Sequence, residues 1–177
     1  MTRSAPIRVV LAMLAAALPA AYAGEPEDEL RAATVLAFLR HAEWSKSPPG
    51  ATLTLGVMGR AAMVRTLRRA LDGKPANNRT IHVQEVQRPN ECVGCQALYV
   101  AVENRGELKQ SLAGMRAEGL LVIGESDRLL DCGGAVTLLI VEGHMSFEVS
   151  QEALDRSGIA ISSKLLRYGQ VRGRGPG

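Results

Sequence analysis

The chain has 177 residues, room for one domain with a real core but not for two ordinary ones. Apolar residues make up 46% and aromatics only 3%, which excludes a disordered chain and a stacking platform for single-stranded nucleic acid. A net charge of +3 is no nucleic-acid footprint, and three cysteines are too few for a small disulfide scaffold.

Met1 to Ala23 reads as a cleaved secretory signal peptide. Arg3 and Arg8 give a positive start, and Val9 to Leu18 is an apolar run too short to span a bilayer. Pro19 breaks the run, and Ala21-Tyr22-Ala23 is an A-x-A cleavage box with no lipid-accepting cysteine after it. Cleavage removes two arginines and no acids, lowering the charge from +3 to +1. The expected product is a soluble exported domain over 24–169, with a disordered basic tail over 170–177, in a compartment that permits disulfides.

Glu27, Asp28 and Glu29 place negative charge where a helix begins. Leu30, Ala33, Ala37, Phe38 and His41 then keep helical spacing, predicting a helix to about Trp44 that stops at Ser47-Pro48-Pro49-Gly50. Leu53 to Met58 is a short apolar strand. Ala61 to Leu71 is an amphipathic helix with Met63, Val64, Leu67 and Leu71 inward and Arg65, Arg68 and Arg69 outward. Thr80 to Val86 alternates imperfectly as a strand. Ala97 to Val102 and Leu120 to Ile123 are continuous apolar runs typical of buried strands, with a helix from Glu107 to Arg116 between them. Val136 to Val141 and Met145 to Val149 form a hairpin around Glu142-Gly143-His144. Ser150 caps a helix from Gln151 to Ser157, Gly158 ends it, and Ile159 to Ile161 is extended. Ser162 or Ser163 starts a last helix through Tyr168. The alternation predicts one three-layer α/β domain with a largely parallel central sheet, helices on both faces and a late antiparallel hairpin.

No nucleophile, base and orienting group come together, so the residues point away from an enzyme. Gly56-Val57-Met58-Gly59-Arg60 lies between a strand and a helix, where backbone N–H groups hold anions, but it matches neither G-x-G-x-x-G nor a P-loop. It reads as a tight strand-to-helix turn, and Gly133-Gly134 as a bend where two backbones approach closely. His41, His82 and His144 are scattered, and no metal or other cofactor is implied. Cys92-Val93-Gly94-Cys95 admits a redox pair, half a zinc site or a structural disulfide. The pair precedes a strand rather than opening a helix, so the usual thiol activation is missing. Cys95 and Cys132 each lie before a strand, which favours a bridge involving Cys132, with Cys92–Cys95 as the alternative.

Leu30 to Trp44 resembles the opening helix of the YfiR-like periplasmic proteins, alanine- and leucine-rich with a closing Glu43-Trp44. Ser146-Phe147-Glu148-Val149 followed by Ser157-Gly158-Ile159-Ala160-Ile161-Ser162-Ser163-Lys164-Leu165-Leu166-Arg167 resembles the family's closing F-E-[IV]-N and I-S-S-x-L-L motifs. Val57-Met58-Gly59, the run from Cys95 to Val100 and Gly133-Gly134 fall in the family's order between them. The resemblance spans roughly residues 30 to 168. Three positions depart from it: Ser45 stands where proline is usual, Ser150 where asparagine is, and Gly56 where many relatives carry a cysteine that pairs with the counterpart of Cys95.

The resemblance implies a periplasmic inhibitor of an inner-membrane diguanylate cyclase, acting by protein contact on the cyclase's periplasmic sensor domain. It further implies an outer-membrane lipoprotein that sequesters the inhibitor, and a homodimer; no nucleic acid is involved. Glu148, Leu154, Leu165, Leu166 and Arg167 are the expected partner face. A small-ligand sensor using the strand-end crevice of the sheet and a thiol oxidoreductase are the competing readings.

Overall fold

The computed structural model describes residues 25–46 and 50–173. The expected signal peptide, the Ser47–Pro49 stop and the last four residues of the tail lie outside that range.

Helix α1 spans Pro26–His41, with proline in its first turn, three acids beside it, and Arg40 and His41 in its last turn. It ends three residues before the predicted Trp44. Asn77, from a tight turn with φ +50°, donates its side-chain amide to the Leu39 and Ala42 carbonyls at 3.0 and 2.6 Å, which closes the helix end. Ala42–Trp44 is instead a strand, β1, antiparallel to β9 (Ile159–Ile161), and Trp44 Nε1 donates to the Gln96 carbonyl at 3.1 Å.

The main sheet has eight strands in the order β10-β8-β7-β6-β5-β2-β4-β3. They are β2 (Thr52–Gly59), β3 (Pro75–Ala76), β4 (Arg79–Glu85), β5 (Ala97–Ala101), β6 (Leu121–Gly124), β7 (Val136–Val141), β8 (His144–Ser150) and β10 (Gln170–Arg172). From β4 through β7 the pairings are parallel, as the alternation of helix and strand demands. β8 returns antiparallel to β7 as the expected hairpin, and β10 lies parallel to β8. Gln170–Arg172 is therefore a strand and not the disordered start of a tail. Gly169 lets the chain pass so close to Phe147 that a Cβ there would stand 2.0 Å from the ring.

α2 (Ala61–Leu71) connects β2 to β4 across one face, and α3 (Arg105–Leu112) connects β5 to β6 across the other. α1, α4 (Gln151–Ser157) and α5 (Ser163–Leu166) join α2, so the helical layers are uneven. Phe38, Leu39, Met63, Leu67, Tyr99 and Leu154 fill the larger core, where Phe38 meets Phe147 edge-on with centroids 5.0 Å apart. Leu98, Leu108, Val122 and Leu129 fill the smaller one. Each fully buried aliphatic side chain contributes roughly 1.5–3 kcal/mol, so α1 is held mainly by Val35, Phe38 and Leu39.

Caps set the remaining boundaries. Asn104 accepts from the N–H groups of Gly106 and Glu107 at 2.9 and 3.1 Å, so α3 starts two residues before the predicted Glu107. It ends at Leu112 and not at Arg116. Ser150 caps α4 by accepting from Ala153 N–H at 3.2 Å, and Gly158 ends α4 at φ +67°. Ser162 caps α5, which stops before Tyr168. Gly59, at φ +111°, crosses so close to β5 that a Cβ would stand 2.2 Å from the Ala101 carbonyl oxygen. At Gly134 the close neighbour is the Leu129 side chain and not a second backbone, which corrects the sequence expectation.

Candidate functional site

The expected partner residues lie on β8, α4, α5 and the turn after α5, which with β10 form the C-terminal corner of the fold. Glu148 stands on the β8 face opposite Phe147 and Val149, opposite Gln170 in register, and takes an ion pair from Arg172 Nη2 at 2.6 Å. Arg172 Nη1 also reaches Asp131 at 3.5 Å. Leu165 and Leu166 are half-buried against the larger core, so they support the corner more than they present it. Arg167 is exposed, with its guanidinium 5.2 Å from the centre of the Tyr168 ring and Nε donating to the Lys164 carbonyl at 3.1 Å. Leu154 is only 1% exposed; it faces inward from α4 and drops out of the partner face. Sequence inspection missed Tyr168 and Val171, which are 71% and 45% exposed at the same corner.

A buried charge cluster was also missed. Arg60, between β2 and α2, donates to Asp28 at 2.9 and 3.2 Å and to Glu125 at 2.9 and 3.0 Å. Arg31 adds a second cation, 3.4 Å from Asp28 and 3.7 Å from Glu125. The Tyr99 hydroxyl donates to Glu125 at 3.1 Å. Asp28 and Glu125 have side chains only 3% and 1% exposed, so the two carboxylates need these two cations. Hydrogen bonds to Glu125 and then Asp28 push the Arg60 pKa above its usual range. Burial, then the Glu125 charge, raises that of Tyr99. The cluster ties the first turn of α1 to the carboxyl ends of β2 and β6. Arg60 is thus an anchor inside the fold and not a free anion-binding group. The one available signal was topological: Arg60 and Glu125 each follow a parallel strand, and such ends converge. Beside it, where α2 and α3 leave to opposite faces, a crevice of about 480 Å³ is lined by Met58, Arg60, Ala101, Asn104 and Glu107.

The disulfide joins Cys92 to Cys95, and Cys132 is unbridged. The bridge involving Cys132 fails because β6 lies between β5 and β7. Two strand spacings are about 9.5 Å, beyond the Cα separation that a disulfide tolerates. The loop before β5 instead turns tightly, with Gly94 at φ +78° and Cys95 N–H donating to the Cys92 carbonyl at 3.2 Å. An ideal Cβ on Gly56 would stand 2.1 Å from Cys92 Sγ and 3.5 Å from Cys95 Sγ. The space that a cysteine at position 56 would fill is taken by Cys92, reaching Cys95 from its own loop. This loop borders an open cavity of about 1410 Å³ with Trp44, Arg88, Met115 and Arg116. His41, His82 and His144 are all exposed, and no group of three metal-binding side chains forms among the described residues.

A family model described as YfiR/HmsC-like matches residues 28–170, from the first turn of α1 to the first residue of β10. The chain belongs to the YfiR/HmsC-like family. Its members are periplasmic regulators rather than enzymes. No curated protein matches the chain. Among solved structures, an ABC domain from Streptococcus pneumonia in complex with L-Trp is similar, with 12% identity and a TM-score of 0.50. The likeness covers 82% of this chain and 60% of that one, and it shows a shared fold only. Among the described residues no helix is long and apolar enough to cross a membrane.

Proposed function

We propose that this YfiR/HmsC-like protein is exported to the periplasm, with its signal peptide cleaved after Ala23, and represses a membrane-bound diguanylate cyclase by binding its periplasmic sensor region. The result is lower cyclic di-GMP and less biofilm. The observation that carries the reading is the family match over 28–170, which takes in β8, α4 and α5 whole and the first residue of β10. Glu148, Leu165, Leu166 and Arg167 form the partner face, with the two leucines setting its shape from below.

The mechanism is a linked equilibrium. The inhibitor favours the inactive cyclase state only by its difference in affinity for the two states. A shift from mostly active to mostly inactive needs about 10⁴-fold tighter binding to the inactive state. An outer-membrane lipoprotein that sequesters the inhibitor, which acts as a homodimer, removes that bias and releases the cyclase. In the test, residues 24–177 are titrated onto cyclase-containing membrane vesicles with the periplasmic face accessible. Conversion of GTP to cyclic di-GMP should fall and saturate; turnover unchanged by the protein refutes the reading.

The second reading is a small-ligand sensor without a cyclase partner. The crevice between the ends of β2 and β5 lies at the switch point of the sheet, where α/β folds bind ligands, and the similar solved structure holds L-Trp. A saturable rise in melting temperature with L-Trp, together with no effect on the cyclase, would favour it.

A further inference from the structure

The two edges of the main sheet are finished differently. At one edge β3 is two residues long and begins with Pro75, which has no N–H to offer an incoming strand. At the other edge β10 has no proline, and Gln170, Val171 and Arg172 are all exposed. Among the described residues nothing pairs with its outer side. Tyr168 and Val171 present exposed apolar surface at this edge.

This edge is ordered before any partner arrives. Gly169 seats the chain on Phe147, and Arg172 is clamped by Glu148 at 2.6 Å and Asp131 at 3.5 Å. A preformed edge lowers the ordering cost of binding. The charge is lopsided: Arg172 is matched by those two acids, while Lys164 and Arg167 beside it form no ion pair among the described residues.

We propose that β10 is a docking edge on which an extended, acidic segment of the cyclase's periplasmic region adds as a further strand. The identity of the partner rests on the function proposed above; the mode of docking rests on the edge itself. The backbone of β10 supplies the hydrogen bonds. Tyr168 and Val171 receive alternate apolar side chains, and Arg167 and Lys164 meet carboxylates.

The test is titration of the purified periplasmic region of the cyclase with the wild-type chain and with Val171→Asp, Arg167→Glu and Val93→Asp. Val93 is 87% exposed on the disulfide loop and serves as control. Wild type should bind, with the amides of β10 that face away from β8 newly protected from exchange in the complex. Val171→Asp and Arg167→Glu should each weaken binding about tenfold, with melting temperatures within about 2 °C of wild type. Val93→Asp should bind as wild type. Wild-type binding undiminished in both edge variants overturns the docking edge and leaves the cyclase reading standing. No wild-type binding overturns the reading, and the proposal with it. A wild-type dimer that Val171→Asp splits in the absence of cyclase assigns the edge to a second copy, which also overturns the proposal.

Discussion

Replacing Arg60 by methionine tests the buried charge cluster. The substitution keeps much of the aliphatic stem and removes four hydrogen bonds of 2.9–3.2 Å to Asp28 and Glu125. Two carboxylates with side chains 3% and 1% exposed are left with Arg31, whose nearest approaches are 3.4 and 3.7 Å. Removing one partner of a buried pair costs about 3–5 kcal/mol, chiefly through the charge left behind. Arg60 is itself 38% exposed and Arg31 remains, so the lower end, about 3 kcal/mol, is expected. For a chain of this size that lowers the melting temperature by about 6–12 °C. Urea unfolding at pH 7, followed by circular dichroism, should show a lower midpoint with an unchanged slope. Adding Asp28→Asn and Glu125→Gln to Arg60→Met should restore much of the loss, because the stranded charges are gone. A loss below about 1 kcal/mol, or no recovery in the triple variant, would refute the reasoning.

Three further predictions follow from the same packing. Reducing Cys92–Cys95 opens a loop closed across a separation of 3, which by chain entropy is worth about 1.9 kcal/mol. A melt with reductant should therefore fall by about 4–8 °C, checked by thiol alkylation and intact mass; an unchanged melt contradicts the estimate. Gly56→Ala drives a methyl to 2.1 Å from Cys92 Sγ and should cost about 1–3 kcal/mol, relieved when Cys92 is also alanine; additive losses in the double variant would contradict this. Tyr99 has a raised pKa, so its contribution is fully present below the unfolded value of about 10 and is lost as pH rises above it. Wild-type stability should decline above pH about 10, and more steeply than that of Tyr99→Phe; equal slopes would contradict the assignment.

What could be read from the sequence was local. The amphipathic pattern of Ala61–Leu71 and the Ser150 cap of Gln151–Ser157 give both helices with the boundaries observed. The apolar runs give β5 and β6 within a residue at each end. Errors arose where distant groups decide. Asn77 ends α1 from a turn 35 positions after Ala42, and Trp44 leaves the helical path to reach Gln96. β10 is held by Arg172 on Glu148 and by the fit of Gly169 on Phe147, neither of which leaves a local trace. The cysteine pairing required the tight turn that brings Cys92 onto Cys95 and the strand order that puts β6 between β5 and β7. In the partner face, Glu148 and Arg167 reach the surface, while the C-terminal motif that put Leu154 there could not tell contact from core.

The central claim is tested most directly by intracellular cyclic di-GMP in the source bacterium with and without this gene. Complementation uses one copy with residues 1–23 and one without them. The account predicts a rise on deletion that only the copy with residues 1–23 reverses. Unchanged cyclic di-GMP under conditions where the protein is produced, or reversal by the copy lacking residues 1–23, would contradict it.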